Sequence, residues 1–182
     1  MKRFTTLLIL SVFMVIFYAK SPVQAQETAK IKWYSIEEAV KLNKKHQKKF
    51  FVDVYTDWCG WCKEMDNKTF SNSVIISYMN KNFYAVKFNG EGGDTTIWND
   101  KKYYNPVPGK RGSTHQMVYA MMQGQFGYPC FIIMNEKLEK LTSVLGYRSP
   151  KQFEPVLNFY GENAYKKEEW EDYNASFKGK VE

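Results

Sequence analysis

The apolar residues of the chain follow two patterns, short continuous runs and helical spacing. The continuous runs are rich in aromatic and β-branched residues, and they predict buried strands over 50–55, 83–88, 131–134 and 141–145. Apolar residues at helical spacing predict helices that begin at Ser35, Cys59, Ser73, Thr114 and Ser149. Elements in this order predict an α/β fold in which helices flank a mixed central sheet.

Two segments follow neither of these patterns. Residues 89–112 are rich in glycine and charge, and within them 95–98 and 103–104 flank a polar turn, which predicts a small hairpin. The aromatic residues of this hairpin favour either a lip for a substrate or local packing; they are Trp98, Tyr103 and Tyr104. The tail over 161–182 is polar with spaced aromatic residues, which predicts a docked helix.

The first 25 residues have the three parts of a secretory signal. Lys2 and Arg3 give a basic start, residues 5–19 are uncharged and mostly apolar, and Val-Gln-Ala at 23–25 is a small-x-small cleavage pattern. The apolar run is short for a membrane span of about 20 residues. We therefore expect cleavage after Ala25 and a periplasmic or secreted protein, with an uncleaved anchor that contacts the membrane as the alternative.

Composition and charge limit the classes of function. The chain has 182 residues, of which 44% are hydrophobic and 17% aromatic, enough for one domain with a sizeable core. We expect that domain over 26–182, with its core over about 33–160 and a C-terminal extension over 161–182. Acidic and basic residues are interspersed along a chain of net charge +7, which indicates a solvated surface and no nucleic-acid partner.

The candidate chemistry lies in Cys59-Gly60-Trp61-Cys62, which directly follows a predicted strand and opens a predicted helix. Cysteines three residues apart on a helix bring their sulfurs near enough for a disulfide. A cysteine at a helix N-terminus is favoured as a thiolate, the form that attacks disulfides. A structural disulfide with no redox role is the alternative.

A metal or haem site is disfavoured by what surrounds this pair. A zinc site needs two more ligands, and only Cys130, His46 and His115 remain, without matching spacing. Haem attachment needs a histidine after the second cysteine, where this chain has Lys63. We predict no metal and no cofactor, and we expect Cys130 in the core and both histidines on the surface.

The sequence resembles the thioredoxin-like proteins, in particular the exported bacterial branch with a WCGWCK active site. Three motifs carry the resemblance in the same order, at 52–63, 86–89 and 127–130. The similarity extends over about 33–159, with an enlarged loop between Asn89 and Phe126, before the proline of the third motif. Gly60-Trp61 departs from the Gly-Pro that the family usually has between its cysteines.

This resemblance implies a role for each matching residue. Cys59 corresponds to the attacking cysteine and Cys62 to the resolving cysteine, and Asp53 with Lys87 to a buried acid and its lysine partner. An acid and a lysine on adjacent apolar strands are tolerable only as a pair, and burial raises the pKa of the acid as a general base requires. A purely structural ion pair is the alternative. The implied substrate-binding residues are Trp58, Gly60, Trp61, Tyr128 and Pro129, with Pro129 in a cis peptide bond or, alternatively, an ordinary trans one.

The function implied by the resemblance is thiol–disulfide exchange by an exported oxidoreductase that reduces envelope proteins. Its partners would be protein disulfides and an upstream thiol donor, for example a membrane thiol carrier. Reduction is favoured over oxidation because the dipeptide Gly60-Trp61 adds no positive charge that would stabilise the Cys59 thiolate. The alternative is a non-catalytic binding or chaperone module that keeps a structural disulfide.

Overall fold

The computed structural model describes residues 30–125 and 127–182, in which a five-stranded sheet forms the centre. The strands are β1 (Trp33–Tyr34), β2 (Lys49–Tyr55), β3 (Phe83–Asn89), β6 (Cys130–Met134) and β7 (Lys140–Leu145). Their order is β1-β3-β2-β6-β7. The first three strands are parallel, while β6 and β7 are antiparallel to their neighbours. The predicted mixed sheet is confirmed, with β1 as an additional edge strand too short to predict from sequence.

Helices cover the sheet on both faces. They are α1 (Ile36–Asn43), α2 (Gly60–Lys68), α3 (Ser73–Asn82), α4 (Gln116–Met122), α5 (Pro150–Gly161) and α6 (Trp170–Ser176). Ser35 and Ser149 close capping boxes at the starts of α1 and α5, which explains why both helices begin where the sequence predicts. None of the described helices is both long and apolar enough to cross a bilayer. The signal sequence predicted over 1–25 lies outside the described residues.

Strand β2 contributes to both halves of the core because its side chains alternate between the two faces of the sheet. Phe50, Val52 and Val54 pack in one apolar cluster with α1 and α4. Phe51 packs in the other cluster with α2, α3 and α5. Asp53 shares the strand parity of Phe51, so a carboxyl group lies on a face of the sheet that is otherwise apolar.

The segment between β3 and α4 contains the predicted hairpin, formed by β4 (Thr96–Trp98) and β5 (Lys101–Tyr103). Trp98 is buried and its ring lies 6.3 Å from that of Phe50, so this tryptophan belongs to the core rather than to a substrate lip.

The prediction that His115 lies on the surface is wrong. This residue is 1% exposed and caps α4, where its Nδ1 accepts the Met117 backbone N–H at 3.2 Å. Its Nε2 lies 2.9 Å from the carbonyl oxygen of Asp94 and donates to it in this tautomer. Two backbone partners satisfy the ring, which is why burial is tolerated.

The C-terminal extension docks on α5 through aromatic residues, as predicted. The ring of Phe159 lies 5.4 Å from Trp170 and 5.0 Å from Tyr173. The last residues also return to α5, where the buried Glu154 carboxylate accepts the backbone N–H groups of Lys180 and Val181 at 2.8 and 3.0 Å.

Candidate active site

Cys59 and Cys62 form a disulfide at the point where β2 leads into α2. A tight turn delivers Cys59 to the helix start, since its backbone N–H donates to the carbonyl of Thr56 at 3.1 Å. Cys59 is the N-cap of α2, and its Sγ accepts the backbone N–H of Cys62 at 3.0 Å. The first turn of α2 carries no acidic residue. Both the helix terminus and this N–H group favour negative charge on the Cys59 sulfur.

Two tryptophans flank the disulfide. Trp61 is 62% exposed and its ring lies 5.4 Å from that of Tyr147, whereas Trp58 is 45% exposed and packs against two neighbours. The Tyr128 ring meets Trp58 edge-on at 5.9 Å, and the Arg111 guanidinium lies 4.6 Å from the centre of the Trp58 ring. Two exposed indole rings therefore adjoin the buried Cys59 and Cys62 along the chain, and we call Trp58 and Trp61 the aromatic rim.

Tyr128 and Pro129 lie beside this rim, and the peptide bond between them is cis. Contact between Tyr128 and Trp58 places this segment beside the residue that precedes Cys59. Gly90 makes the arrangement possible, because a Cβ atom at that position would lie 2.6 Å from the Tyr128 hydroxyl.

Asp53 and Lys87 are direct partners in the pairing of β2 with β3, and Lys87 Nζ lies 2.7 Å from Asp53 Oδ2. Asp53 is 1% exposed, and its other oxygen, Oδ1, accepts no hydrogen bond from any described residue. Burial raises the pKa of Asp53 to about 6, even though the charge and hydrogen bond of Lys87 act in the opposite direction. This carboxyl group is therefore suited to exchange a proton near neutral pH.

Lys87 has other contacts besides Asp53. Its ammonium also donates to Asp66 on α2 and lies 4.9 Å from the centre of the Trp33 ring. Burial alone lowers the pKa of Lys87, but the two carboxylates outweigh it and the net pKa is above the ordinary value. The lysine is therefore charged, and its side chain is 23% exposed rather than fully buried.

The remaining cysteine, Cys130, is a buried free thiol at the start of β6, directly after Pro129. It pairs with Val54 of β2, on the face of the sheet that carries the first apolar cluster. Burial raises its pKa to about 12, so the thiol is neutral and unreactive at physiological pH.

A family of thioredoxin-like domains matches this chain over residues 36–161, which include all of the side chains just described except Trp33. The chain belongs to the thioredoxin-like family. The order of its central strands and the disulfide at the start of α2 agree with that membership.

Individual relatives of this thioredoxin-like chain are distant. The DsbH oxidoreductase structure is 16% identical, with a TM-score of 0.53, and the match covers 78% of this chain and 88% of that one. A candidate disulphide isomerase from Bacteroides thetaiotaomicron is 22% identical, also with a TM-score of 0.53, over 78% and 98% of the two chains. These similarities show the fold alone. An uncharacterized protein of Caenorhabditis elegans is 34% identical over 74 residues, which are 40% of this chain and 10% of that protein.

The thioredoxin-like domain brings most of the predicted site residues to one place. Cys59, Gly60, Trp61 and Cys62 follow one another at the start of α2, and contact with Tyr128 joins Trp58 to the proline segment. Three further residues at the site were missed by sequence reasoning, namely Asp66, Glu91 and Arg111. The sequence does contain a signal that could have found Asp66, because this acid lies one helical turn after Cys62 on the same predicted helix.

Glu91 joins the enlarged loop of the thioredoxin-like domain to Trp58. Its Oε2 accepts the indole N–H of Trp58 at 2.8 Å, and its Oε1 accepts the backbone N–H of Gly112 at 2.6 Å. Its main-chain carbonyl accepts from Asn105 and Gly109 at 3.0 and 2.9 Å. Glu91 is buried, so these neutral donors are what stabilise its carboxylate.

Glu91→Leu should release Trp58 and loosen the loop. The substitution leaves the indole N–H and the Gly112 N–H without their acceptor, so we expect the free energy of unfolding to fall by about 1–3 kcal/mol. Hydrogen exchange of the Trp58 indole N–H, followed by NMR, should become faster. Glu37→Gln is the control, since Glu37 is exposed on α1. Unchanged protection of the indole in Glu91→Leu would show that the hydrogen bond does not position Trp58.

Proposed function

We propose that this thioredoxin-like chain is an exported thiol–disulfide oxidoreductase that reduces disulfides of envelope proteins through Cys59 and Cys62. The observation that carries the proposal is the Cys59 sulfur, which caps α2, accepts the Cys62 N–H and has the exposed Trp58 and Trp61 beside it along the chain. Such a sulfur is favoured as a thiolate and is placed to attack a disulfide presented to the aromatic rim.

In the proposed cycle, the Cys59 thiolate of the dithiol form attacks one sulfur of a substrate disulfide. The substrate S–S bond breaks, its second sulfur leaves with the electron pair and takes up a proton, and Cys59 is joined to substrate in a mixed disulfide. Cys62 then loses its proton and attacks Cys59 Sγ, which releases the second substrate thiol. Two electrons pass to the substrate, and the domain ends with the Cys59–Cys62 disulfide.

Asp53 is the proposed acceptor of the Cys62 proton. Its burial, its unpaired Oδ1 and a pKa of about 6 support this role. Lys87 is the proposed partner that keeps the ionised carboxylate tolerable inside the sheet. Trp58, Gly60, Trp61, Tyr128 and Pro129 are the proposed contacts of the substrate chain around its disulfide.

Reduction is the proposed direction because the start of α2, with its Cys62 N–H, is the main source of stabilisation for the Cys59 thiolate. The residues between the cysteines are uncharged, Asp57 adds negative charge two residues before Cys59, and Lys63 is exposed to solvent. A less stabilised thiolate makes the dithiol a better electron donor. Return to the dithiol form requires an upstream thiol donor, for which a membrane thiol carrier is our proposal.

Export and domain limits complete the proposal. The secretory pattern of residues 1–25 supports cleavage after Ala25 and a periplasmic or secreted location. The mature chain over 26–182 would then act as one domain, whose C-terminal extension docks on α5.

Trapping tests the exchange reaction. Cys62→Ser should accumulate envelope proteins covalently attached to Cys59, because the resolving thiol is gone and the mixed disulfide persists. The trapped species should disappear on treatment with dithiothreitol and should be absent in the matched Cys59→Ser, Cys62→Ser double variant. The wild-type dithiol should also reduce insulin, with turnover lost in both variants.

Two results would contradict parts of this proposal. Insulin reduction no faster than that of the double variant would favour the alternative, a binding module with a structural disulfide. Equilibration with a glutathione buffer tests direction. A half-oxidation potential near about −120 mV, the range of strong oxidants, would overturn the assignment as a reductant.

A further inference from the structure

Lys87 contacts two carboxylates that lie in opposite environments. Asp53 comes from β2 and is 1% exposed, whereas the Asp66 side chain comes from α2 and is 43% exposed. The ammonium lies between them and hydrogen-bonds to both acids. One cation therefore serves a buried acid and a surface acid at the same time.

The cation is also fixed in place. The rings of Trp33, Tyr55 and Phe70 surround the ammonium, with centroids 4.9, 5.3 and 5.3 Å from Nζ. These aromatic faces favour a charged ammonium at this position. The position of Lys87 Nζ is consequently a balance between the buried and the exposed carboxylate.

We propose that Asp66 is a positioning residue of the site: it shares the Lys87 ammonium and so limits the hold of that cation on the Asp53 carboxylate. A cation that paired with Asp53 alone would favour the ionised form more strongly, and Asp53 would be a weaker base. Asp66 thus keeps Asp53 able both to take up and to release a proton near neutral pH.

The other titratable groups near Asp53, on either face of the sheet, do not compete with this effect. Tyr55 lies on the same strand, and burial raises its pKa above the ordinary value. Cys130 lies on the neighbouring β6 strand with a pKa raised to about 12, again by burial. Both are neutral at pH 7, so Lys87 and Asp66 are the charged groups that set the electrostatics of Asp53. The inference about turnover rests on the function proposed for Asp53.

Asp66→Asn is the test, and the titration of the Asp53 carboxyl carbon, followed by NMR in the disulfide form, is the primary measurement. Removing one negative charge and leaving Lys87 to Asp53 should move the Asp53 midpoint to lower pH by about one pH unit. The pH dependence of mixed-disulfide release should shift in the same direction. Asp66→Glu keeps the charge and should restore most of the wild-type midpoint.

Glu64→Gln is the matched control, because it removes the same charge from the same helix at a residue that pairs with Lys68 instead of Lys87. An Asp53 midpoint that is the same in Asp66→Asn as in Glu64→Gln or wild type would overturn the proposal. The carboxyl titration needs no substrate and no exchange activity. A shifted midpoint with no disulfide reduction would therefore support the role of Asp66 and count against the proposed function of the site.

Discussion

Asp53→Asn should slow the release of the mixed disulfide by up to about 100-fold, because Cys62 loses its proposed general base. The first step, attack by Cys59, should change little, since it requires only the thiolate at the start of α2. A fluorescent peptide joined to Cys59 allows the release step to be followed in a single turnover. Glu64→Gln serves as the control for removal of a negative charge, and release as fast as in wild type would reduce Asp53 to a structural partner of Lys87.

The same variant has an expected signature in stability. The pKa of Asp53 is about 6 when folded against an ordinary value of 3.8, so the unfolded chain loses this proton first as pH rises. Ionisation of Asp53 thus costs wild type stability between about pH 4 and pH 6, up to roughly 3 kcal/mol. Asparagine has no such cost. Measured by denaturant unfolding, the free energy of unfolding of Asp53→Asn should rise relative to that of wild type across this pH interval. A difference between the two free energies that stays constant with pH would mean that the folded pKa of Asp53 is not raised.

Glu136→Gln should lower the free energy of unfolding by about 2 kcal/mol, which corresponds to a melting temperature lower by about 4–8 °C. Lys49, at the start of β2, has a side chain that is only 4% exposed, and its Nζ lies 2.7 Å from Glu136 Oε1. Removing the acid leaves this ammonium nearly buried without its counter-charge. The loss is smaller than for a fully buried pair because the Glu136 side chain is 37% exposed.

The expected pH dependence separates this ion pair from general damage to the fold. Burial raises the pKa of Glu136, but the hydrogen bond and charge of Lys49 outweigh it and hold the pKa below its ordinary 4.5. The stabilisation is therefore complete above about pH 4.5 and is lost as pH falls through the lower, folded pKa. Thermal unfolding of wild type and Glu136→Gln should converge in acid. Adding Lys49→Met should recover stability at neutral pH, and no recovery would mean that the unpaired ammonium is not the cause.

Local patterns predicted much of this fold because local signals decide much of it. Phe50 to Val54 is a short run rich in aromatic and β-branched residues, which favours a buried strand, and Ser35 with Glu38 marks a helix start at the level of single residues. Strand β1 was missed because two residues carry no period, and its place depends on pairing with β3. Burial of His115 likewise depends on the Asp94 carbonyl, 21 residues away in sequence.

The candidate site likewise contains residues that local sequence patterns reveal and residues that only the fold reveals. Cys59 and Cys62 are recognisable from spacing alone, and Asp53 and Lys87 stand out as charges within apolar strands. Asp66 and Glu91 have no such contrast, since acids are common on helix surfaces and in loops. They stand out only through the partners that the fold brings to them: Asp66 contacts Lys87, and Glu91 accepts the indole N–H of Trp58.

A chain with three cysteines has a choice during oxidative folding, because any two of them can pair. Closing the short loop between Cys59 and Cys62 costs far less chain entropy than bringing Cys130 to either. Once β6 has joined the sheet, Cys130 is enclosed and its thiol stays protonated, so it takes no part in disulfide reshuffling. Burial of the odd cysteine thus keeps it from pairing with Cys59 or Cys62, as folding in the oxidising compartment of the proposed function would require.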